Sequence, residues 1–395
     1  MKKLLSLGGN HFQLSAVLAA KRLGCYVIGV DYLPDNPAHA IEDEYHNIST
    51  LDRDAVLALA KERQIDGIIS YASDVSAPTA AYVANALGLP GNPLKTVEIM
   101  TDKSRFHPFL REHGFFVPKI GQVKSEAELT DFLKWVGQTV IVKPAFGSGS
   151  KGISRVESEA DVHRAFTYGM EFSYTDSLVV EEYVSRVGYQ VSGDLFCMDG
   201  QVVFFGLGNG HFDDECNPLV PCGASFPGLI DSETRSAVEK EFSRVISALG
   251  FRTGAVNVEG ILTERGELFI VEMGPRNGGN CISEALTLAS GFDVIELTVQ
   301  CAVGLPCEPP PVVRPFKCAA EYAIHTRQDS IFRKMTLQDE LKKNVVETKL
   351  FCEPNQKVRR FATGRDSIGS FILSFSGPAE MQSVLSRMQD LYSID

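Results

Sequence analysis

Two strand-like runs, Ala255 to Leu262 and Glu267 to Met273, flank the turn Thr263-Glu-Arg-Gly266, so the second half of the chain is committed to an antiparallel hairpin. An even-membered turn predicts Leu262 opposite Glu267, hence Asn257 opposite Glu272 and Glu259 opposite Ile270, all on one face. Glu259 and Glu272 are then diagonal neighbours with Cβ atoms about 7–8 Å apart, near enough for both carboxylates to meet one cation. Mg²⁺ favours a few carboxylate oxygens together with phosphate oxygens, and such a pair suits it. The simpler alternative is a solvated charged face, but Ile261 and Ile270 on the same side weigh against it.

A second stretch complements those acids. Val140 to Val142 reads as a buried strand, with Lys143 at its end and Pro144 stopping it. Gly147, Gly149 and Gly152, interleaved with Ser148, Ser150 and Lys151, let the backbone approach an anion and turn N–H groups toward it. No Gly-Lys-Ser/Thr closes the segment, so it is not a Walker A loop, and taken alone it is equally a flexible turn. Between the two stretches lies Leu178-Val-Val-Glu-Glu-Tyr-Val184. It reads as an edge strand with solvated acids, or as an apolar wall offering main-chain groups and a carboxylate to a purine.

Taken in order, Thr101-Asp-Lys103, Val142-Lys-Pro144 with its Gly/Ser loop, Val180-Glu-Glu-Tyr-Val184, Val258-Glu259 and Glu272-Met-Gly-Pro-Arg-Asn-Gly-Gly279 resemble the ATP-grasp superfamily. The nearest likeness is to its carboxylate-amine ligase branch, which holds purine-biosynthesis carboxylase and glycinamide ligases, biotin carboxylase and carbamoyl phosphate synthetase. The resemblance implies ATP and Mg²⁺. Lys103 and Lys143 would hold the α- and β-phosphates, and the loop with Ser148, Gly149 and Ser150 would close over them as a lid. Glu181 would accept from the adenine amine while main-chain groups along Glu182, Tyr183 and Val184 read the ring edge. Glu259 and Glu272 would ligate the metal, and Arg276, with Lys143, would act on the transferred phosphoryl group. These roles suit a metaphosphate-like transition state, which needs positioning and positive charge.

Two positions depart from the family pattern. Gly274 stands where a metal-binding Asn is usual, with Asn257 or Asn277 as possible substitutes. Tyr189, beside Gln190, stands where an acid usually holds the ribose.

The same resemblance implies the fold: α/β, with an N-terminal open parallel-sheet domain at 1–95, an ATP-grasp α+β domain at 96–308 whose mobile lid covers about 105–180, and a small β-rich C-terminal domain at 309–395. Strand and helix alternate along the first 95 residues, as a parallel sheet with helical crossovers requires. Expected helices are Gln13 to Leu23, Ala55 to Arg63, Ala77 to Leu87, Lys103 to His113, Ser232 to Leu249, Cys281 to Leu288 and Pro378 to Tyr392. Gly206 to Pro227 reads as an irregular loop offering His211, Asp213, Asp214 and Cys222 to a second substrate, and Asn10, His11 and Ser73-Asp74 could line the same site. Glu308-Pro-Pro-Pro311 reads as a stiff linker.

Composition narrows the partners. With 44% hydrophobic and 22% charged residues the chain can bury sizeable cores, while a net charge of -12 disfavours nucleic acid and anionic membranes. Nine cysteines include no Cys-x-x-Cys pair, so structural zinc and a disulfide framework are both disfavoured. Gly8-Gly-Asn-His-Phe-Gln13 interrupts the apolar N-terminus before it can act as a signal peptide, and no run approaches the ~20 apolar residues of a membrane span, so a cytoplasmic location is expected.

The leading expectation is an ATP-dependent ligase that activates a small-molecule carboxylate as an acyl phosphate and joins it to an amine, as a possible homodimer. Its rivals are a bicarbonate-dependent carboxylase, a nucleotide-binding regulator whose chemistry has decayed, and a dehydrogenase suggested by Gly8-Gly9 and Asp31.

Overall fold

The computed structural model describes residues 1–147, 149–310 and 316–395. Its first unit is a four-stranded parallel sheet in the order Glu44–Asn47, Tyr26–Asp31, Lys3–Leu7, Gly67–Ile69. Helices Arg53–Arg63 and Ala77–Leu87 bury Leu5, Leu7, Ile28 and Val30 on one face, and helix Leu14–Arg22 packs with Leu4 and Val27 on the other. The dinucleotide-like first turn is filled by the protein itself: Asp31 Oδ2 accepts from Gly9 N–H at 2.9 Å, and a Cβ on Gly9 would lie 2.3 Å from the His39 ring.

The second unit is a four-stranded antiparallel sheet in the order Ile120–Val123, Leu178–Glu182, Val140–Pro144, Ser154–Val156. Alternation along its strands separates two faces. Val140, Val142, Leu178 and Val180 pack against helices Glu126–Val136 and Glu159–Glu171, which turns Ile141, Lys143, Val179 and Glu181 the other way. This sheet lies inside the segment expected to form a lid.

An eight-stranded sheet carries the rest, in the order Leu268–Gly274, Gly254–Leu262, Gln190–Met198, Gln201–Phe212, Pro221–Phe226, Cys318–Ile324, Gly369–Phe375, Val345–Leu350. Residues 318–375 thus extend the central sheet. Helix Ser232–Leu249 buries Val238, Phe242 and Val245 in a core with Leu195, Val256 and Met273, while helices Ile282–Ser290 and Val294–Ala302 pack with Phe196, Phe226 and Ala255. Among the described residues no single helix is long and apolar enough to cross a membrane; the last two helices pass such a test only together and are bent by 112°.

Three expectations need correction. Gly206 to Pro227 is mostly two central strands; its glycines mark close packing, since a Cβ on Gly208 would meet Ser225 O at 2.4 Å. The terminal helix is broken into Pro378–Leu385 and Met388–Leu391, after which Tyr392–Ile394 pairs with Met335–Leu337. The acidic hairpin has another register. Leu262 faces Leu268, Gly260 faces Ile270, and a bulge at Glu259/Gly260 then sets Glu259 directly opposite Glu272 and Asn257 opposite Gly274.

Candidate active site

Two local features bring the lysines together. Asp102 caps helix Lys103–Glu112 by accepting from Ser104 N–H, which places Lys103 in the first turn. Lys103 N–H then donates to Ala145 O at 2.9 Å, and Asp102 bridges to Phe146, tying the helix start to the end of the Lys143 strand. Both side chains are nearly fully buried and each holds an acid: Lys103 Nζ lies 3.2 Å from Glu272, and Lys143 Nζ lies 2.8 Å from Glu181. Burial works against the charge on Lys103, but Glu272, Asp74 and Glu259 together more than offset it and hold its pKa above the usual value. His107, one turn along the same helix, is held strongly neutral by burial and then by Lys143 and Lys103.

The other oxygen of Glu181, Oε2, is buried without a hydrogen-bond partner. A buried acceptor left open costs about 1–3 kcal/mol, so the site suits an N–H donor there, such as the exocyclic amine of a purine. Its neighbours are more committed. The Glu182 carboxylate accepts from Lys119 N–H and Gln138, Tyr183 N–H donates to Thr139 O, and the Arg155 guanidinium covers the Tyr183 ring at 4.7 Å. Val184 follows, half-buried at the end of the strand.

On the facing hairpin, Glu259 and Glu272 sit as a direct cross-strand pair. Enclosure by protein, then the charge of Glu272, push the Glu259 carboxyl up to about 7. Gln190 Nε2 donates to Glu259 Oε2 at 3.0 Å, so the residue beside the absent ribose acid serves the acidic pair instead. Two carboxylates held this close resist joint ionisation unless a cation lies between them, and this donor set fits a divalent, oxygen-seeking ion.

Arg276 is buried beside the hairpin and makes a bidentate pair with Asp74 of the first unit, Nε to Oδ1 at 2.9 Å and Nη2 to Oδ2 at 2.6 Å. Gly274 lies beneath this pair. Asn277 is engaged through both amide atoms, donating to Ser283 and accepting from Thr298, while Asn257 Nδ2 donates to Gly193 O and Asp194. Asp194, which sequence reading missed, anchors the turn after Arg276 by accepting from Gly278 N–H and Ser283. Burial raises its pKa against those donors. No local pattern flags it, because its partners lie more than sixty residues away.

The glycine-rich loop docks on the C-terminal segment, where Gly364 N–H donates to Gly149 O at 3.2 Å. Gly149 and Ser150 both have positive φ, and Ser148 lies outside the described residues. Lys151 is drawn down to about 8 by burial and then by Arg365, which puts two cations together at the loop. Among the residues offered to a second substrate, Asp213 is taken by Arg327 and His325, and Cys222 is buried with its thiol pushed up to about 12. His211 meets Ser225 at 2.8 Å and is brought down to about 4 by burial and Arg186, so it is a neutral imidazole. Asp214 is exposed. Asn10 caps its own turn by accepting from Phe12 N–H, and the His11 ring stacks on Phe351 with centroids 4.6 Å apart.

Residues 100–280 match the profile of the ATP-grasp domain. Over that stretch the chain is similar to ATP-grasp domains, as the order of its motifs implied. Among its relatives is the formate-dependent phosphoribosylglycinamide formyltransferase of Methanocaldococcus jannaschii, 24% identical over 91% of this chain and 90% of that protein. The N-terminal section of the carbamoyl phosphate synthase large chain of Methanopyrus kandleri is 24% identical over 75% of this chain, which spans 54% of that relative's length. Among solved structures, L-amino acid ligase from Bacillus licheniformis shares the fold with a TM-score of 0.85 at 22% identity, covering 100% of this chain and 98% of that one.

Proposed function

We propose that the protein is an ATP-dependent ligase that converts a small-molecule carboxylate to an acyl phosphate and joins it to an amine, releasing ADP and phosphate. The observation that carries this reading is that Glu272, Arg276, Lys103 and Lys143 all lie near enough to act on the charge of Glu259, with each of Lys103, Lys143 and Arg276 already paired to an acid. Phosphate oxygens replace Glu272 on Lys103 and Glu181 on Lys143. That exchange frees Glu181 for the adenine amine and Glu272, with Glu259, for Mg²⁺. Bound there, Mg²⁺ would neutralise phosphate charge and polarise the transferred phosphoryl group.

The carboxylate oxygen attacks the γ-phosphorus, the bond to the β-phosphate oxygen breaks, and ADP leaves. Lys143 and Arg276 hold positive charge against the equatorial oxygens during transfer. The amine nitrogen then attacks the acyl carbon, phosphate departs with the bonding pair, and the nitrogen passes a proton to the departing phosphate as the amide forms. Docking of the glycine loop on residues 363–366 keeps water from the acyl phosphate.

The test is release of ADP and phosphate across a panel of carboxylates and amines, with a bicarbonate arm. Amide product with stoichiometric ADP is expected. Bicarbonate-dependent ADP formation would favour carboxylation, and tight nucleotide binding with no product from any mixture would favour a regulator.

A further inference from the structure

We propose that Cys301 and Cys307 are a redox-active dithiol, which closes to an intramolecular disulfide by exchange with a small disulfide such as oxidised glutathione. Neither residue takes part in the site described above, so the inference stands or falls independently of the ligase reading.

The end of helix Val294–Ala302 brings the two sulfurs together. Val303 caps the helix, Leu305 N–H donates back to Gln300 O at 2.9 Å and Gly304 N–H to Cys301 O at 3.3 Å, with Gly304 at a φ of 65°. Such a pair of bonds across a left-handed glycine is the Schellman arrangement, and it folds the chain back over the last turn of the helix. Cys307 thereby returns to Cys301, Sγ to Sγ at 3.2 Å. Carbon atoms in ordinary packing stand about 3.5–4.0 Å apart and sulfur is the larger atom, so the two thiols are closer than apolar filling requires. A bond of about 2.0 Å needs a further approach of roughly 1.2 Å.

Exposure selects this pair among nine free thiols. Six of the other seven are buried, whereas Cys301 and Cys307 are half-buried at the rim of the core that helices Ile282–Ser290 and Val294–Ala302 share with the first unit, within reach of a solute. Burial, then Cys307, hold the Cys301 thiol above its usual range, which gives the first step to Cys307. Cys307 loses its proton, its thiolate attacks one sulfur of the small disulfide, and the other sulfur leaves as a thiolate. Cys301 then gives up its proton and displaces the second small thiolate from Cys307. The two departing thiolates take up the two protons, so two protein thiols are oxidised and one small disulfide is reduced to two thiols. The closed ring ties the connection after the helix to a helix end that already meets the first unit, where a Cβ on Gly67 would lie 2.1 Å from Ala302 O.

Glutathione is the probe. The full chain is equilibrated in buffers of increasing oxidised-to-reduced glutathione ratio, quenched in acid, unfolded, alkylated and digested with trypsin, which leaves Cys281, Cys301 and Cys307 on one peptide, 277–317. With oxidation this peptide is expected to lose about 2 Da and the alkylation of Cys301 and Cys307, while Cys281 is alkylated as before. Half-oxidation in the native chain is expected at a glutathione ratio about tenfold or more below that for the chain held in urea, because the fold has already brought the sulfurs together. Cys301→Ser leaves glutathione stalled on Cys307, and Cys307→Ser abolishes the 2 Da loss. Should either variant fail to fold, the comparison of native and urea-held wild type decides alone. Full alkylation of the wild-type peptide at every ratio, a mixed disulfide that persists on its Cys307, or equal half-oxidation with and without urea overturns the proposal.

Discussion

Glu259 is the residue where function and stability pull hardest against each other. Its carboxyl is raised to about 7, whereas an unfolded glutamate titrates near ~4.3, so the folded protein binds the extra proton. The stabilising contribution of that proton is present at low pH and is lost as pH rises through about 7. Without nucleotide or metal, Glu259→Gln should therefore melt roughly 2–4 °C above wild type at pH 8 and match it near pH 5, as scanning calorimetry would record. The same variant should lose cation-dependent nucleotide binding. Lys143→Ala and Glu272→Ala remove charge from the transfer step itself, and each should lower turnover by about 10²–10³ in a steady-state ADP assay. Wild-type turnover in either would remove that residue from the chemistry.

At the scale of elements, the period-two pattern of the hairpin was legible because strands of alternating apolar residues around Thr263-Glu-Arg-Gly266 have few alternatives. Its register was not. A one-residue difference in turn length, where Gly266 N–H and Glu267 N–H both donate to Thr263, and a bulge at Glu259/Gly260 act in the same direction. The acids still share a face, now as direct partners. Gly206 to Pro227 misled for a related reason, since glycine signals a turn locally and close backbone approach only when the neighbouring strand is known. The glycine loop was identified by composition, but its dock at Gly364 joins parts of the chain more than two hundred residues apart. Lys151 beside Arg365 suits an anion there. Wild-type nucleotide affinity should fall as pH rises through about 8 and Lys151 loses its proton, whereas Lys151→Met should be roughly fivefold weaker at pH 7 and nearly flat from pH 6.5 to 9.5. Calorimetric titrations at several pH values would separate the two curves.

For the whole molecule, the alternation of strand and helix in the first unit and the order of motifs were enough to anticipate an ATP-grasp architecture. What stayed hidden is the contribution of that unit to the cleft, because Asp74 and Arg276 are separated by 202 positions and meet only when the sheets assemble. Lys103, Lys143 and the acidic hairpin likewise come from three segments that the fold draws to one place, and the claim that they form a single nucleotide site is what everything else depends on. Calorimetric titration of the folded protein with ATP and Mg²⁺ tests it most directly. Saturable one-site binding that depends on Mg²⁺ and is lost in both Lys143→Ala and Glu272→Ala is expected; absence of binding heat and of any rise in Tm with millimolar MgATP would contradict a single nucleotide site.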